Sequence, residues 1–157
     1  TGKTPMIEYL IRLLKDDNSI ATLSRGYKRK TEGFVLADEN TNVNSIGDEP
    51  FQFYSKFNDI IVAVDGNRQS GITQLRKLKQ QPDVILLDDA YQHRKVKAGF
   101  NILLTAYNNL YYKDIVLPTG NLREPSSGAK RADIIVVTKC RKDISEDKIA
   151  KSSKAIL

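Results

Sequence analysis

Two short clusters carry the residue types that handle phosphate and a divalent cation. Gly2-Lys3-Thr4 is the second half of the pattern G-x-x-x-x-G-K-[ST]. In that pattern backbone amides at a helix N-terminus cradle phosphate oxygens, the lysine reaches the β- and γ-phosphates, and the hydroxyl binds Mg2+. The tripeptide alone is a weak signal. Its weight comes from position, directly ahead of an amphipathic stretch, with Pro5 where a first helical turn needs no amide donor. The second cluster is Asp88-Asp89, which closes the apolar run Val84-Ile85-Leu86-Leu87. Carboxylates at the end of a buried strand can hold Mg2+ beside a nucleotide, and as often they cap the next turn. With both clusters present in this order, nucleotide and Mg2+ binding is the favoured reading.

The segments around these clusters must position them. Ile7, Leu10, Ile11 and Leu14 follow helical spacing. Short apolar, β-rich runs come next, at Ile20–Leu23, Ile60–Val64, Val84–Leu87, Ile102–Leu104 and Ile134–Val137, and read as buried parallel strands. Ile72, Leu75 and Leu78 predict a helix with one apolar stripe. Strand–helix alternation behind a phosphate loop predicts an α/β, P-loop NTPase-like three-layer sandwich with a mainly parallel sheet, as one domain over residues 1–157. Gly66, Gly71, Gly99, Gly120 and Gly128 mark expected turns, and the stretch from Ser145 to Leu157 reads as a further helix.

In this topology the loops after the strands form the ligand edge. Four polar clusters fall there: Ser24-Arg25-Gly26-Tyr27, Gly47-Asp48-Glu49-Pro50, Asp65-Gly66-Asn67-Arg68 and Leu122-Arg123-Glu124-Pro125. Arg25, Arg68 and Arg123 each have the fork that grips phosphate, and each is equally at home in a surface ion pair. Asp48 could take a proton from an acceptor hydroxyl, but spacing alone favours Asp48-Glu49-Pro50 as the cap and first turn of a helix running through Phe53. His93 is the one histidine. A lone histidine is usually solvated or packed, and its nearness to Asp88 and Asp89 is what draws interest. Cys140 reads as a small core residue closing a strand.

Taken together, the ordered segments Thr1-Gly2-Lys3-Thr4-Pro5, Leu23-Ser24-Arg25-Gly26-Tyr27, Gly47-Asp48-Glu49-Pro50, Asp88-Asp89-Ala90-Tyr91-Gln92-His93-Arg94, Leu117 to Pro125 and Arg131-Ala132-Asp133 resemble the tetraacyldisaccharide 4'-kinase family over nearly the whole chain. The resemblance implies transfer of the γ-phosphate of ATP to the 4'-hydroxyl of an acylated glucosamine disaccharide 1-phosphate, at the cytoplasmic face of the bacterial inner membrane. Carried over by position, Gly2, Lys3 and Thr4 contact ATP, and Thr4, Asp88 and Asp89 hold Mg2+. Asp48 becomes the base, reversing the preference drawn from spacing, with Asp89 and His93 as its catalytic companions. Tyr27, Glu49, Arg68, Arg123 and Glu124 fall at positions near the acceptor. The family usually has glycine where Ala90 stands, and alanine adopts fewer backbone conformations, so a mild change is expected there. Relative to the family, the chain reads as an interior fragment. It lacks the first half of the phosphate loop, an N-terminal membrane-associating segment and a C-terminal domain. Weak nucleotide binding and little turnover are expected of residues 1–157 alone.

The bulk properties fit this reading without selecting it. The chain has 157 residues, 25 Lys and Arg against 19 Asp and Glu, and a net charge of +6. That excess suits an anionic partner, and an ordinary solubilising surface would look the same. One cysteine allows neither an internal disulfide nor a cysteine metal site. No apolar run approaches the roughly 20 residues that span a bilayer, so the chain reads as a soluble piece. Two alternatives have less behind them. A P-loop GTPase would need an aspartate after Thr138-Lys139-Cys140, where Arg141 stands. A nucleotide-gated binding module would bind ATP and transfer nothing. No nucleic-acid partner is expected, since no interleaving of aromatic and basic residues of the stacking type is present.

Overall fold

The computed structural model describes residues 2–114, 116–117, 119–120, 122, 124–141 and 143–145. Arg123 and the helix expected beyond Ser145 lie outside them. The chain divides into two compact units, one of residues 3–96 and the other of the first two residues with residues 97 onward.

In the first unit, helix α1 (Lys3–Leu14) leads into strand β1 (Ile20–Ser24). The short strand β2 (Val35–Leu36), helix α2 (Val43–Ile46), helix α3 (Asp48–Lys56), strand β3 (Ile61–Val64), helix α4 (Arg68–Leu75) and strand β4 (Val84–Leu87) follow. The sheet order is β2-β3-β1-β4, with β1 parallel to both neighbours and only β2 antiparallel, paired to β3. β1 is central and every residue of it is buried. That is why it reads as an unbroken small and apolar run rather than an alternating one.

Alternate strand residues feed two apolar layers. Ile20, Val62 and Val64 face Ile7 and Ile11 of α1, Ile46 of α2, and Phe53 and Phe57 at the end of α3. Ala21, Leu23 and Ala63 face Leu75 of α4 on the other side. Helices therefore cover both faces, and the architecture is the expected α/β sandwich with a mainly parallel sheet. α4 stops at Leu75, short of the expected stripe through Leu78. The Leu78 amide turns back to the Leu75 carbonyl at 3.3 Å, and Leu78 reaches the same apolar layer without helix. Gly71, expected in a turn, sits inside α4, where a Cβ would stand 2.9 Å from the Leu23 side chain.

In the second unit, strands β5 (Ile102–Ala106) and β6 (Ile134–Thr138) pair in parallel, Ile102 opposite Ile134 and Ala106 opposite Thr138. Two 3₁₀ turns, Tyr111–Lys113 and Ser126–Arg131, lie between them in sequence. Cys140 is exposed rather than core, because it falls two residues past the end of β6. No helix among the described residues is long and apolar enough to cross a membrane.

Candidate active site

The carboxyl edge of the four-stranded sheet gathers the chemistry of the first unit. α1 begins at Lys3, so Lys3 and Thr4 occupy its first turn. The Lys3 ammonium meets the Asp89 carboxylate at 2.7 Å, and the Thr4 hydroxyl donates to Glu49 Oε1 at 2.8 Å. Residues 3–4, 49 and 89 are thereby brought to one place. The helices that carry them are fastened further down. Glu8 of α1 accepts from Gln52 at 2.9 Å and is ion-paired to Lys56, both on α3. The Lys56 ammonium, ahead of Gln52 and Arg12, holds the Glu8 carboxyl below its ordinary pKa against the opposing effect of burial.

Asp48 opens α3, but it is not the cap. Gly47 takes that place at φ 92°, and Asp48 is the first helical residue. Its carboxylate is exposed and has no hydrogen-bond or ion-pair partner among the described residues. The expectation from spacing is thus corrected by one position, and the correction frees Asp48 for other work. Gly47 is pressed against the Ser24–Tyr27 segment. A Cβ on it would lie 2.8 Å from the Tyr27 carbonyl oxygen, and one on Gly26 would lie 2.9 Å from the Ile46 oxygen. Both glycines have positive φ, 69° at Gly26 and 92° at Gly47, which side chains resist. This backbone contact fixes Tyr27 beside the start of α3. Tyr27 is 76% exposed, and the Lys28 ammonium sits 5.5 Å from its ring centroid. An open groove of about 630 Å3 runs here, lined by Arg25, Tyr27, Lys28, Arg29, Asp65 and Asn67.

Asp88 and Asp89 differ in environment. Asp88 is 5% exposed. Burial raises its pKa first and the Glu49 charge adds to that, with Lys3 pulling the other way. Asp89 is exposed and left-handed, at φ 49°. Ala90 has no positive φ, so alanine needs no left-handed backbone there. The set of Thr4 hydroxyl, Asp88, Asp89 and Glu49 offers hard oxygen donors only, the chemistry Mg2+ prefers. Among the described residues no group of three or more His, Cys, Asp or Glu could form a metal cage.

Arg68 does not present itself to a ligand. It is 2% exposed, and its terminal nitrogens donate to the Asp65 carbonyl at 2.6 Å and the Asp88 carbonyl at 3.1 Å. Burial lowers its pKa, opposed by the nearby Asp88 charge. His93 lies in the turn after Asp89, its amide bonded to the Ala90 carbonyl at 2.8 Å. Sequence pattern alone does not single out Ser24 or Asp65. Both are buried where β1 and β3 end, and Ser24 Oγ and Asp65 Oδ2 have no hydrogen-bond partner among the described residues. The signal for them was a polar residue directly closing a buried apolar run.

In the second unit, Arg131 Nη2 donates to both carboxylate oxygens of Glu124 at 2.9 Å. Asp133 accepts from the Asn101 amide at 2.7 Å and its own amide donates to the Asn101 carbonyl, which fixes the start of the β5–β6 ladder. Two motifs read separately from sequence, around Glu124 and around Arg131, are thus one local structure.

Comparison with known proteins agrees with these features. The family described as tetraacyldisaccharide-1-P 4'-kinase matches residues 1–157. Tetraacyldisaccharide 4'-kinase of Flavobacterium johnsoniae is 70% identical over 150 residues, covering 96% of this chain and 44% of that protein. The Bacteroides fragilis protein of the same name is 59% identical over 145 residues, covering 92% of this chain and 39% of its own length. A crystal structure described as the "apo" form of LpxK from Aquifex aeolicus in complex with ATP superposes with a TM-score of 0.77 at 36% identity, covering 92% of this chain and 47% of that one. The chain spans less than half the length of the curated relatives it matches.

Proposed function

The chain belongs to the tetraacyldisaccharide-1-P 4'-kinase family, and from that premise we propose that its whole protein moves the γ-phosphate of ATP to the 4'-hydroxyl of an acylated glucosamine disaccharide 1-phosphate. Residues 1–157 supply part of the P-loop kinase core. The observation that carries the reading is the junction of Lys3 with Asp89 and of Thr4 with Glu49. It unites a phosphate-binding helix start, a pair of strand-end acids and the helix that begins with Asp48.

Gly2, Lys3 and Thr4 bind the ATP phosphates, the lysine as a point charge and the helix N-terminus as a field favouring anions. Thr4, Asp88 and Asp89 are the residues that would hold Mg2+, which when bound neutralises phosphate charge. Asp48 accepts the proton of the acceptor hydroxyl as that oxygen bonds the γ-phosphorus and the bond from phosphorus to the bridging oxygen of ADP breaks. Its exposed and unpartnered carboxylate suits that role. His93 borders the same edge as a companion to Asp89. Tyr27 and Glu49 flank Asp48 and meet the acceptor, and Arg123 and Glu124 are assigned to the acceptor by their positions in the family motif alone. Arg68 belongs to the same edge from beneath. For the whole protein the reading is the cytoplasmic face of the inner membrane, where an acylated acceptor and ATP are both within reach, and this chain's net charge of +6 suits anionic headgroups.

The test follows labelled γ-phosphate from Mg-ATP to acylated disaccharide 1-phosphate in the longer protein that contains this chain, beside Asp48→Ala and with Mg-GTP in parallel. Expected are transfer from ATP and a drop of about 10²–10⁴-fold in the variant. A longer protein that binds ATP and never phosphorylates the glycolipid would overturn the reading in favour of a nucleotide-gated module.

A further inference from the structure

We propose that the two arginines at the carboxyl edge of the four-stranded sheet divide their work: Arg68 is a positioning residue that clamps the Asp88-Asp89 turn from below, and Arg25 is the arginine that touches the terminal phosphate of the nucleotide. The inference rests on the kinase reading above and deepens it.

For Arg68 the geometry is specific. One terminal nitrogen holds the Asp65 carbonyl, one residue past β3, and the other holds the Asp88 carbonyl, one residue past β4. These strands are not neighbours, because β1 lies between them. The guanidinium therefore bridges across the central strand and ties its two flanks together. Turning toward solvent would break both bonds and leave two buried carbonyls unpaired, a costly exchange. The Asp88 carbonyl that it grips precedes Asp89, whose φ of 49° is uncommon for a residue with a side chain. A clamp at that carbonyl holds the peptide unit on which the direction of the Asp89 carboxylate depends. Lysine, with one ammonium group, has no planar fork to match two carbonyls.

Arg25 has the opposite circumstances. It follows the last residue of the central strand, between Asp65, whose amide donates to Ser24 O at 3.0 Å, and Asp88, whose amide donates to Leu23 O at 3.2 Å. It is exposed and has no hydrogen-bond or ion-pair partner among the described residues. The charges of Arg25, Asp88, Asp89 and Asp65 all fall within electrostatic range of Arg68. Arg25 is thus a free fork above a clamp, on the edge where Lys3 meets Asp89, and a phosphate carrying two or more charges is its natural partner.

Binding of ATP, ADP and Mn2+ to the longer protein separates the two roles without turnover. Arg25→Ala is expected to lose about tenfold or more in ATP affinity while ADP affinity and Mn2+ affinity in the presence of ADP stay within about twofold. Arg68→Ala is expected to keep the preference for ATP over ADP and to lose about tenfold in Mn2+ affinity with ADP bound, as supporting partners of metal-binding groups do. Added methylguanidine should restore that loss. Arg68→Lys should fall between, and serves if the alanine variant does not fold. The proposal is overturned if Arg25→Ala leaves the ATP preference intact or weakens both nucleotides alike, or if a folded Arg68 variant loses that preference or binds Mn2+ as the wild type does. A wild-type protein that binds neither nucleotide would overturn the kinase reading, and this inference with it.

Discussion

The two compact units use the same kinds of charged residue in different ways. In residues 3–96 the charged contacts at the ligand edge join distant parts of the chain, Lys3 to Asp89 across 86 positions and Thr4 to Glu49 across 45. In residues 97 onward a charged contact between described residues, Glu124 with Arg131, spans seven. A short-range pair closes a loop at small entropic cost and defines its shape. A long-range pair requires that a fold already exist, because the core must first bring the partners together. In this chain Ile7, Ile11 and Phe53 do so, packing α1 on α3 beneath the paired side chains. Charges that meet only after folding are the ones placed to act together on a ligand, whereas charges that meet locally shape the loop that carries them.

The most damaging way to test that contrast leaves every charge in place. Gly47→Ala puts a Cβ 2.8 Å from the Tyr27 carbonyl oxygen at a φ of 92°. It should cost about 1–3 kcal/mol of stability, read by denaturant unfolding. Phosphate transfer by the longer protein should fall about 100-fold as Asp48 is displaced. Retained activity would show that the long-range assembly tolerates slack it is argued not to have. A smaller effect is expected in the other unit. Glu124→Gln weakens the bond to Arg131, so the KM for the acceptor should rise about threefold to tenfold with kcat changed less than about threefold. A loss of kcat to match Asp48→Ala would place Glu124 in the chemistry and erase the contrast.

The smallest effect concerns how α1 and α3 are fastened. Glu8 is held below its ordinary pKa by Lys56, so the folded state binds its proton less readily than the unfolded state. The stabilisation is therefore present at neutral pH and is lost as pH falls through the glutamate range, below about pH 4. Lys56→Met should lower stability by about 0.5–1 kcal/mol at pH 7, modest because the lysine side chain is 43% exposed. The difference from wild type should vanish in acid. A gap that persisted at pH 3 would assign the effect to packing instead.

Much of this arrangement was legible in the chain. The apolar runs announced every parallel strand to within two residues, because buried strands have little freedom in composition. Strand β2 escaped notice, since two residues, Val35 and Leu36, carry no periodicity. The shift of the α3 cap from Asp48 to Gly47 was hidden for a different reason. Aspartate is the commoner cap, and the close approach to Tyr27 that demands glycine is a tertiary fact. Arg68 reads from sequence as a phosphate grip or a surface ion pair, because sequence shows a guanidinium and not its burial. Cys140 looked like core because the strand before it is apolar and its end could not be read to the residue. The pairs Lys3–Asp89 and Thr4–Glu49 were beyond reach of local pattern, as are all contacts set by the fold.

The contact between Gly26 and the backbone at Gly47 has a consequence for how sequences of this kind can change. Where side chains fill a gap, a loss on one side can be made good by a gain on the other, and the two positions drift together. Here the gap is already closed by main-chain atoms, so no pair of side chains at positions 26 and 47 restores the spacing. A library randomised at both should return glycine at both, while the flanking positions 25 and 27 fail for loss of ligand contacts and not for loss of fold.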